Sequence, residues 1–439
     1  MSTDTSPAAG GPSPAAAPHK LNPAQRKAIL AGTIGNTVEW VDWALYTIFV
    51  KTISEVFFPK AEGAVALLST LAVFAVGFVV RPVGAAVLGA YADRFGRKKG
   101  LTLTVGLMAG ASFVIALTPG YESIGVAAPA VLLVARLLQG FSAGGEFGSS
   151  SAFLVESAAK GRRAFAGSWQ QVSVGGGTLI ASLLGTVLTS TLDDAALHSW
   201  GWRAAFVIGG LLGLVGLWLR VSVEDTDSFH QAQEKGRAKK NPLTAMFREH
   251  PGAALRVVGI TIAGTLTYYI WITYLPTYAN VATGIPLDKA LLSQTICLVI
   301  FIALLPFVGK LSDKIGRKPT MAGFAGGFVV LAWPLLHLLS DSFASLFFVQ
   351  LTGMILILGY SANCAVIMAE QFPPEVRATG IALPYALAVA VFGGTAPYIT
   401  TWLNDAGHGD LLWLYVSGAA LISLIVYLTM PETNKKEFD

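Results

Sequence analysis

The chain has 439 residues, of which 54% are hydrophobic and only 13% charged. Soluble globular proteins carry about 25% charged residues, so a soluble enzyme, a disordered chain and a fibre are excluded. The net charge of +4 is too small, and the basic residues too scattered, for a nucleic-acid footprint. Cys297 and Cys364 lie in separate apolar runs and suggest no disulfide framework. The composition is that of a polytopic membrane protein.

In chain order, residues 1–28 form an expected cytoplasmic tail, rich in Ser, Pro, Ala and Gly as far as residue 18 and disordered. It is not read as a signal peptide, because the first apolar run is long and shows no cleavage pattern. A spanning helix takes about 20 mostly apolar residues. That criterion predicts spans 1–6 at 29–50, 64–91, 101–118, 126–155, 165–190 and 202–220. Spans 7–12 follow at 252–279, 289–311, 319–338, 343–370, 376–402 and 411–430. The polar stretch 221–251 reads as a cytoplasmic linker between two six-helix bundles, 29–220 and 252–430, with 431–439 as a cytoplasmic C-terminal tail. Of the 30 lysines and arginines, Lys51, Lys60, Arg203 and Lys289 fall outside and Arg81 and Arg136 lie within spans. The other 24 are then cytoplasmic if the N-terminus is inside.

The two halves echo each other. Gly89-x-x-x-Asp93-Arg94-x-Gly96-Arg97-Lys98 follows span 2, and Gly309-x-x-x-Asp313-Lys314-x-Gly316-Arg317-Lys318 follows span 8, 220 residues later. Glu156 and Arg163 after span 4 are spaced like Glu370 and Arg377 after span 10. Basic cytoplasmic loops account for the Arg and Lys, but not for the repeated Gly, Asp and spacing. Internal duplication does.

These loops resemble the G-x-x-x-D-[RK]-x-G-[RK]-[RK] signature of the major facilitator superfamily, and the resemblance runs from about residue 28 to 432. Gly35-Asn36-x-x-Glu39-Trp40-x-Asp42, Arg81-Pro82-x-Gly84, Arg136-x-x-Gln139-Gly140 through Gly144-Gly145-Glu146, and Trp200-Gly201-Trp202-Arg203 resemble its metabolite:proton symporter family. Within that family Tyr121-Glu122, Asp193-Asp194 and Phe392-Gly393-Gly394 are most similar to α-ketoglutarate permeases. The resemblance implies an all-α membrane protein with twelve transmembrane helices in two pseudo-symmetric bundles. It implies proton symport of a small organic anion by alternating access, in a cell inner membrane, without a cofactor. Proline/betaine members share many of the same residues, and citrate, shikimate or aromatic-acid carriers are also alternatives. Drug efflux is less favoured, because span 5 lacks the proline of the efflux motif. Scattered histidines and isolated cysteines give no catalytic or metal constellation. Expected partners are the metabolite, protons and lipid, with the protein acting as a monomer.

A charge at the bilayer centre costs at least about 2.5–3.5 kcal/mol, so such residues face a cavity and find partners. Glu39, Asp42, Arg81, Arg136 and Glu146 all lie well inside spans of the first half. The second half offers neutral Tyr268, Tyr269, Tyr274, Gln294, Asn363 and Tyr385 instead. At about 1.5 Å per residue, Asp42 lies some 4.5 Å further out than Glu39, and Glu146 about 15 Å below Arg136. Height therefore pairs Asp42 with Arg136 and Glu146 with Arg81, leaving Glu39 unmatched.

Burial raises a carboxyl pKa and a nearby arginine lowers it, so a carboxylate that loses its arginine to an anionic substrate can take up a proton. Asp42, Glu39, Arg136 and Glu146 are the candidate coupling residues. By resemblance, sugar porters that pair a span 1 aspartate with a span 4 arginine support Asp42 with Arg136. The substrate-binding candidates are Arg81, Arg136, Tyr46, Gln139, Gln170, Tyr268 and Asn363. A static ion-pair network is the alternative for the charged group. The resemblance also implies a cytoplasmic gate of Asp93, Arg97, Glu156, Arg163, Asp313, Arg317, Glu370 and Arg377. Gly140, Gly144 and Gly148 recur every four residues, which favours close helix packing. Asn36 is placed to orient Glu39, while Trp40 and Trp43 suit either the cavity or lipid.

Overall fold

The computed structural model describes residues 23–221, 246, 248–373 and 376–434, apart from 62, 96, 145, 157, 159 and 160. Side chains are described from Asn36 onward, except at 89–90, 92–98, 101, 145–146, 149–150, 153 and 219–221. The 221–251 linker and both tails lie largely outside these residues.

Every regular element among the described residues is helical. In hydrocarbon that is the expected outcome, because a helix satisfies its own backbone hydrogen bonds. The first bundle contains α1 (Pro23–Ile48), α2 (Gly63–Leu88), α3 (Arg97–Leu117), α4 (Ala127–Ala143, continued as Glu146–Glu156), α5 (Arg163–Thr191) and α6 (Asp194–Trp218). The second contains α7 (Pro251–Thr283), α8 (Leu287–Ile315), α9 (Arg317–His337), α10 (Phe343–Ala369), α11 (Arg377–Asp405) and α12 (Gly409–Thr429). Nine of these, among the described residues, are long and apolar enough to cross a membrane.

Burial separates central rods from peripheral ones. The apolar window of α7 is 83% buried, whereas those of α9 and α12 are 33% buried. Outward-facing apolar side chains such as Trp218, Val330 and Leu421 cover the periphery. Two rods at the seam depart from regular helix: α7 widens into π-helical turns over Tyr268–Tyr274, and α11 over Val389–Gly393. Turns of this kind concentrate at functional sites.

Glycine sets the approach of α2 and α4. A Cβ at Gly140 would lie 1.8 Å from the Gly77 carbonyl oxygen, and one at Gly144 would lie 1.9 Å from that of Arg81. No side chain fits there, so the small-residue stripe is a packing feature that fixes the backbone carrying Arg81.

The bundles touch at both ends. At the end carrying the repeated loops, called here the basic end, Phe147 stacks on Tyr385 with centroids 3.9 Å apart. Gly148 meets Ala378 and Ala382 of α11 nearby. At the opposite end Thr47 donates to the Thr273 carbonyl at 3.3 Å, and Thr277 donates back to the Thr47 carbonyl at 3.0 Å. Ser182 of α5 and Thr295 of α8 share a 2.8 Å hydrogen bond. These contacts between the bundles flank the middle of the seam on both sides.

Candidate functional site

Glu39, Trp43 and Tyr46 fall at i, i+4 and i+7 of α1, one stripe of a helix, and the stripe faces inward. Trp43 and Tyr46 are fully buried, and Trp40 and Glu39 nearly so. Across from the stripe, α2 presents Arg81 and α4 presents Arg136. Both guanidinium groups lie over the Trp43 indole, Arg81 at 4.4 Å and Arg136 at 4.1 Å. Arg136 also lies 4.2 Å from the Tyr46 ring, and Arg81 lies 4.2 Å from the Phe78 ring. A desolvated cation–π contact contributes about 2 kcal/mol, so aromatic faces help hold two like charges close together in the membrane.

The carboxylates are arranged differently from what height along the spans implies. Arg81 pairs with Glu39, Nη2 to Oε1 at 3.9 Å, so Glu39 does have a cation. The Glu146 side chain lies outside the described residues. Asp42 and Arg136 make no direct ion pair. Gln139 stands between them, accepting from Arg136 Nη1 at 2.7 Å and donating through Nε2 to Asp42 at 3.4 Å. Asp42 sits at the edge of the stripe, turned toward α3 and α6. Ser112 of α3 donates to its Oδ2, and Gln139 Nε2 also reaches the Ser112 hydroxyl at 3.1 Å. Gly209 of α6 lies so close that a Cβ would come within 2.7 Å of Oδ1. Rise per residue gives depth, but azimuth decides which partner is met.

Several donors remain uncommitted. Nε and Nη2 of both arginines are buried and donate no hydrogen bond within the protein, Arg81 Nη2 facing Glu39 only at ion-pair distance, and Asp42 Oδ1 accepts none. A buried donor left unpaired costs about 1–3 kcal/mol, more when charged. Such a pair of forks is suited to receiving an anion.

The second bundle supplies the facing wall. Tyr268 and Tyr269 project from the π-helical part of α7, and both hydroxyls are buried, Tyr268 beside Thr178 and Tyr269 beside Arg81. Trp40 packs edge-on to Tyr268 at 5.7 Å, and Tyr269 lies 5.3 Å from Phe78. The Tyr269 hydroxyl is within electrostatic reach of Arg81, Glu39 and Arg136. Gly393 and Gly394 of α11 make room for this wall, because a Cβ would lie 2.8 Å from the Tyr269 ring or from the Phe78 ring respectively. Gln170 of α5 is buried with its Nε2 uncommitted. Its neighbour Gln171 crosses the seam to Cys364 Sγ at 3.2 Å.

Two sequence expectations move. Asn363 is a strut inside the second bundle: it accepts from Ser312 and donates to Thr320 at 3.0 Å and to the Gly359 carbonyl at 2.8 Å. Both its amide hydrogens are used, so it is not available as a substrate donor. Asn36 donates to Ser173 of α5 at 2.7 Å and pins α1 to α5, instead of reaching Glu39.

At the basic end, Arg377 bridges to Glu156 across the seam at 2.6 Å, and Arg163 faces Glu370 across it at 4.0 Å. Arg317 reaches Asp313 at 3.0 Å and Glu370 at 3.2 Å. The Asp313 carboxylate accepts from the Ala164 and Phe165 amides, both at 3.0 Å, and so caps α5 of the other bundle. The side chains of Asp93 and Arg97 lie outside the described residues. Burial pushes the Glu370 carboxyl above its usual range, against the opposing pull of Arg317.

Sequence reasoning missed two parts, Ser112 and the segment after α12, and left Trp43 open. Ser112 is one of many span hydroxyls and carries no signal of its own. Trp43 is recognisable as inward-facing only once both arginines are placed on it. After α12, Glu432 accepts from the Arg317 and Lys318 amides at 3.0 Å, Thr433 donates to Glu370, and Asn434 donates to the Asp313 carbonyl at 3.3 Å. Gly316, at φ 102°, makes the turn that receives Glu432. A Cβ there would be strained and would lie 2.6 Å from the carboxylate. No cluster of metal-ligating side chains occurs among the described residues.

The sequence profile of the Major Facilitator Superfamily matches residues 33–383 and 292–439. An alpha-ketoglutarate permease of Escherichia coli (strain K12) is 38% identical over 421 residues, covering 93% of this chain and 94% of the relative. The glycine betaine/proline/ectoine/pipecolic acid transporter OusA of Dickeya dadantii (strain 3937) is 33% identical, covering 94% and 84%. A citrate-proton symporter of Salmonella typhi is 36% identical, covering 86% and 87%. Among solved structures, the partially occluded inward-open xylose transporter XylE from E. coli superposes with a TM-score of 0.74 over 94% of this chain and 99% of that one. At 20% identity this match speaks for the fold alone. The chain belongs to the Major Facilitator Superfamily, and it is a membrane transporter, not an enzyme.

Proposed function

We propose that the protein takes up a small dicarboxylate of the α-ketoglutarate class together with protons, by alternating access. The observation that carries this reading is the pair of buried guanidinium groups on one indole, each with N–H donors that no protein group accepts. Two planar forks match two carboxylates, and the permease and citrate-symporter relatives support the same chemistry. Arg81 and Arg136 take the substrate carboxylates, with Tyr46, Gln139, Gln170, Tyr268 and Tyr269 around them. Asp42 carries a coupling proton, and Gln139 transmits its charge state to Arg136. The proton gradient drives uptake without a cofactor. The paired charges at the basic end act as a cytoplasmic gate that breaks when that side opens. The carrier lies in a cell inner membrane, with both termini and the 221–251 linker cytoplasmic.

The test is uptake of labelled α-ketoglutarate into proteoliposomes under an inward proton gradient, with and without a protonophore. Accumulation that the protonophore abolishes is expected, and Asp42→Asn should lose it while still exchanging preloaded substrate. Uphill uptake by Asp42→Asn would remove Asp42 from the coupling role. A second reading, a betaine- or proline-like zwitterion, draws on the Trp40, Tyr268 and Tyr269 rings as a surface for an ammonium group. Competition of α-ketoglutarate uptake by excess betaine separates the two.

A further inference from the structure

Among the described side chains at the middle of the seam, four carry charge: Glu39, Asp42, Arg81 and Arg136. They form two couples. Arg81 meets Glu39 directly at 3.9 Å, and Arg136 meets Asp42 through Gln139. The Trp43 indole lies under both cations. Arg81 from α2 faces Glu39, with the Tyr269 hydroxyl from α7 and Arg136 within electrostatic reach of one another and of this pair. Those facing Asp42 are Ser112 from α3, Gln139 and Arg136 from α4, and the Gly209 backbone of α6. With both carboxylates ionised, the four charges sum to zero.

A dianion joining these four described groups would leave the set at minus two. Net charge buried in low dielectric is expensive, and a carboxylate whose arginine is drawn to another anion is the group that protonates. One proton on each carboxylate restores neutrality. Each step balances: Arg81 exchanges Glu39, and Arg136 the Gln139 amide that links it to Asp42, for a substrate carboxylate, and each protein carboxylate so weakened in its pairing takes one proton from water. We infer that the two couples act in parallel and that each dicarboxylate is carried with two protons, one on Asp42 and one on Glu39. This rests on the proton-symport reading above and adds to it a stoichiometry and a second proton-carrying residue.

The experiment finds the α-ketoglutarate ratio at which net flux vanishes in proteoliposomes, for imposed pH gradients and with the potential set by potassium and valinomycin. It is run at about pH 7, where both carboxylates of the probe are ionised. Two protons per dianion require that ratio to rise about 100-fold per pH unit and to ignore the potential. Glu39→Gln should reduce the dependence to about tenfold and make transport carry net negative charge inward. A wild-type dependence of about tenfold or about 1,000-fold overturns the inference. So does a Glu39→Gln carrier that retains the 100-fold response. If Glu39→Gln does not reach the membrane, the wild-type ratio alone still decides. A ratio indifferent to the pH gradient removes the symport reading itself, an outcome distinct from a wrong proton count.

Discussion

The arginines at the middle of the seam and those at its basic end live in opposite settings. Arg317 is held by Asp313, Glu370 and the Ser312 carbonyl, so losing one partner leaves others in place. Arg136 has a single hydrogen bond, to Gln139, and otherwise rests on aromatic faces. One environment is redundant and suited to bracing the second bundle at this end. The other is sparse, and its uncommitted N–H groups suit a ligand that must arrive and leave.

The largest effect that would test this contrast is Arg136→Lys. An ammonium is a point charge without the planar fork or the stacking surface. Uptake should fall more than about 100-fold, with unchanged thermal stability in detergent. Arg317→Lys, where two carboxylates still await a cation, should lose less than about tenfold. Comparable losses in both variants would erase the distinction.

Next in size is Gly148→Leu at the seam. A Cβ added there would lie 2.6 Å from the Ala378 carbonyl oxygen, and overpacking costs about 1–3 kcal/mol. The variant should hold the basic end open, seen as faster labelling of Cys364 by a thiol reagent together with slow transport. Gly110→Ala, which meets nothing within 4 Å, is the control expected to change neither.

Glu156→Gln should do less. Its partner Arg377 is buried, but the Glu156 side chain is 45% exposed, and exposed pairs contribute about 0.2–1 kcal/mol. The shift toward the open basic end should be at most about fivefold and should shrink in high salt. The smallest effect concerns Glu432. Burial raises its carboxyl, but amides from Arg317, Lys318, Asn434 and Thr433 outweigh that and hold it below the usual range. Its contribution is therefore complete above the ordinary carboxylate pKa and is lost as pH falls through the lowered one. Hydrogen exchange of residues 431–434, corrected for intrinsic rate, should show protection that fades only at that acidic limit and is absent in Glu432→Gln.

The fold was legible because a membrane leaves few choices. Apolar runs of spanning length, basic loops and a half-length repeat identify twelve helices and two bundles before any contact is known. The inward charges were legible for the same reason, since Glu39, Asp42, Arg81 and Arg136 stand out against their spans. Which of them meet was not. Rise along a helix gives height, yet the pairing of Arg81 with Glu39 depends on rotation about the axis and on the Gly140–Gly77 contact that sets how close α2 lies to α4. Ser112 and Asn363 show the same limit from opposite sides. One looks ordinary and holds Asp42, and the other looks like a ligand and braces three helices.

Glu432 also bears on the order in which the protein is made. Ribosomes deliver the chain from its N-terminus, so Glu432, Thr433 and Asn434 emerge only after all twelve spans have left the tunnel. Until then the Arg317 and Lys318 amides lack their cap, and Glu370 lacks the Thr433 hydroxyl. The basic end of a nascent carrier is thus held less firmly than that of a finished one. The turn after α8 and the end of α10, both in the second bundle, are completed last, once α12 is in place.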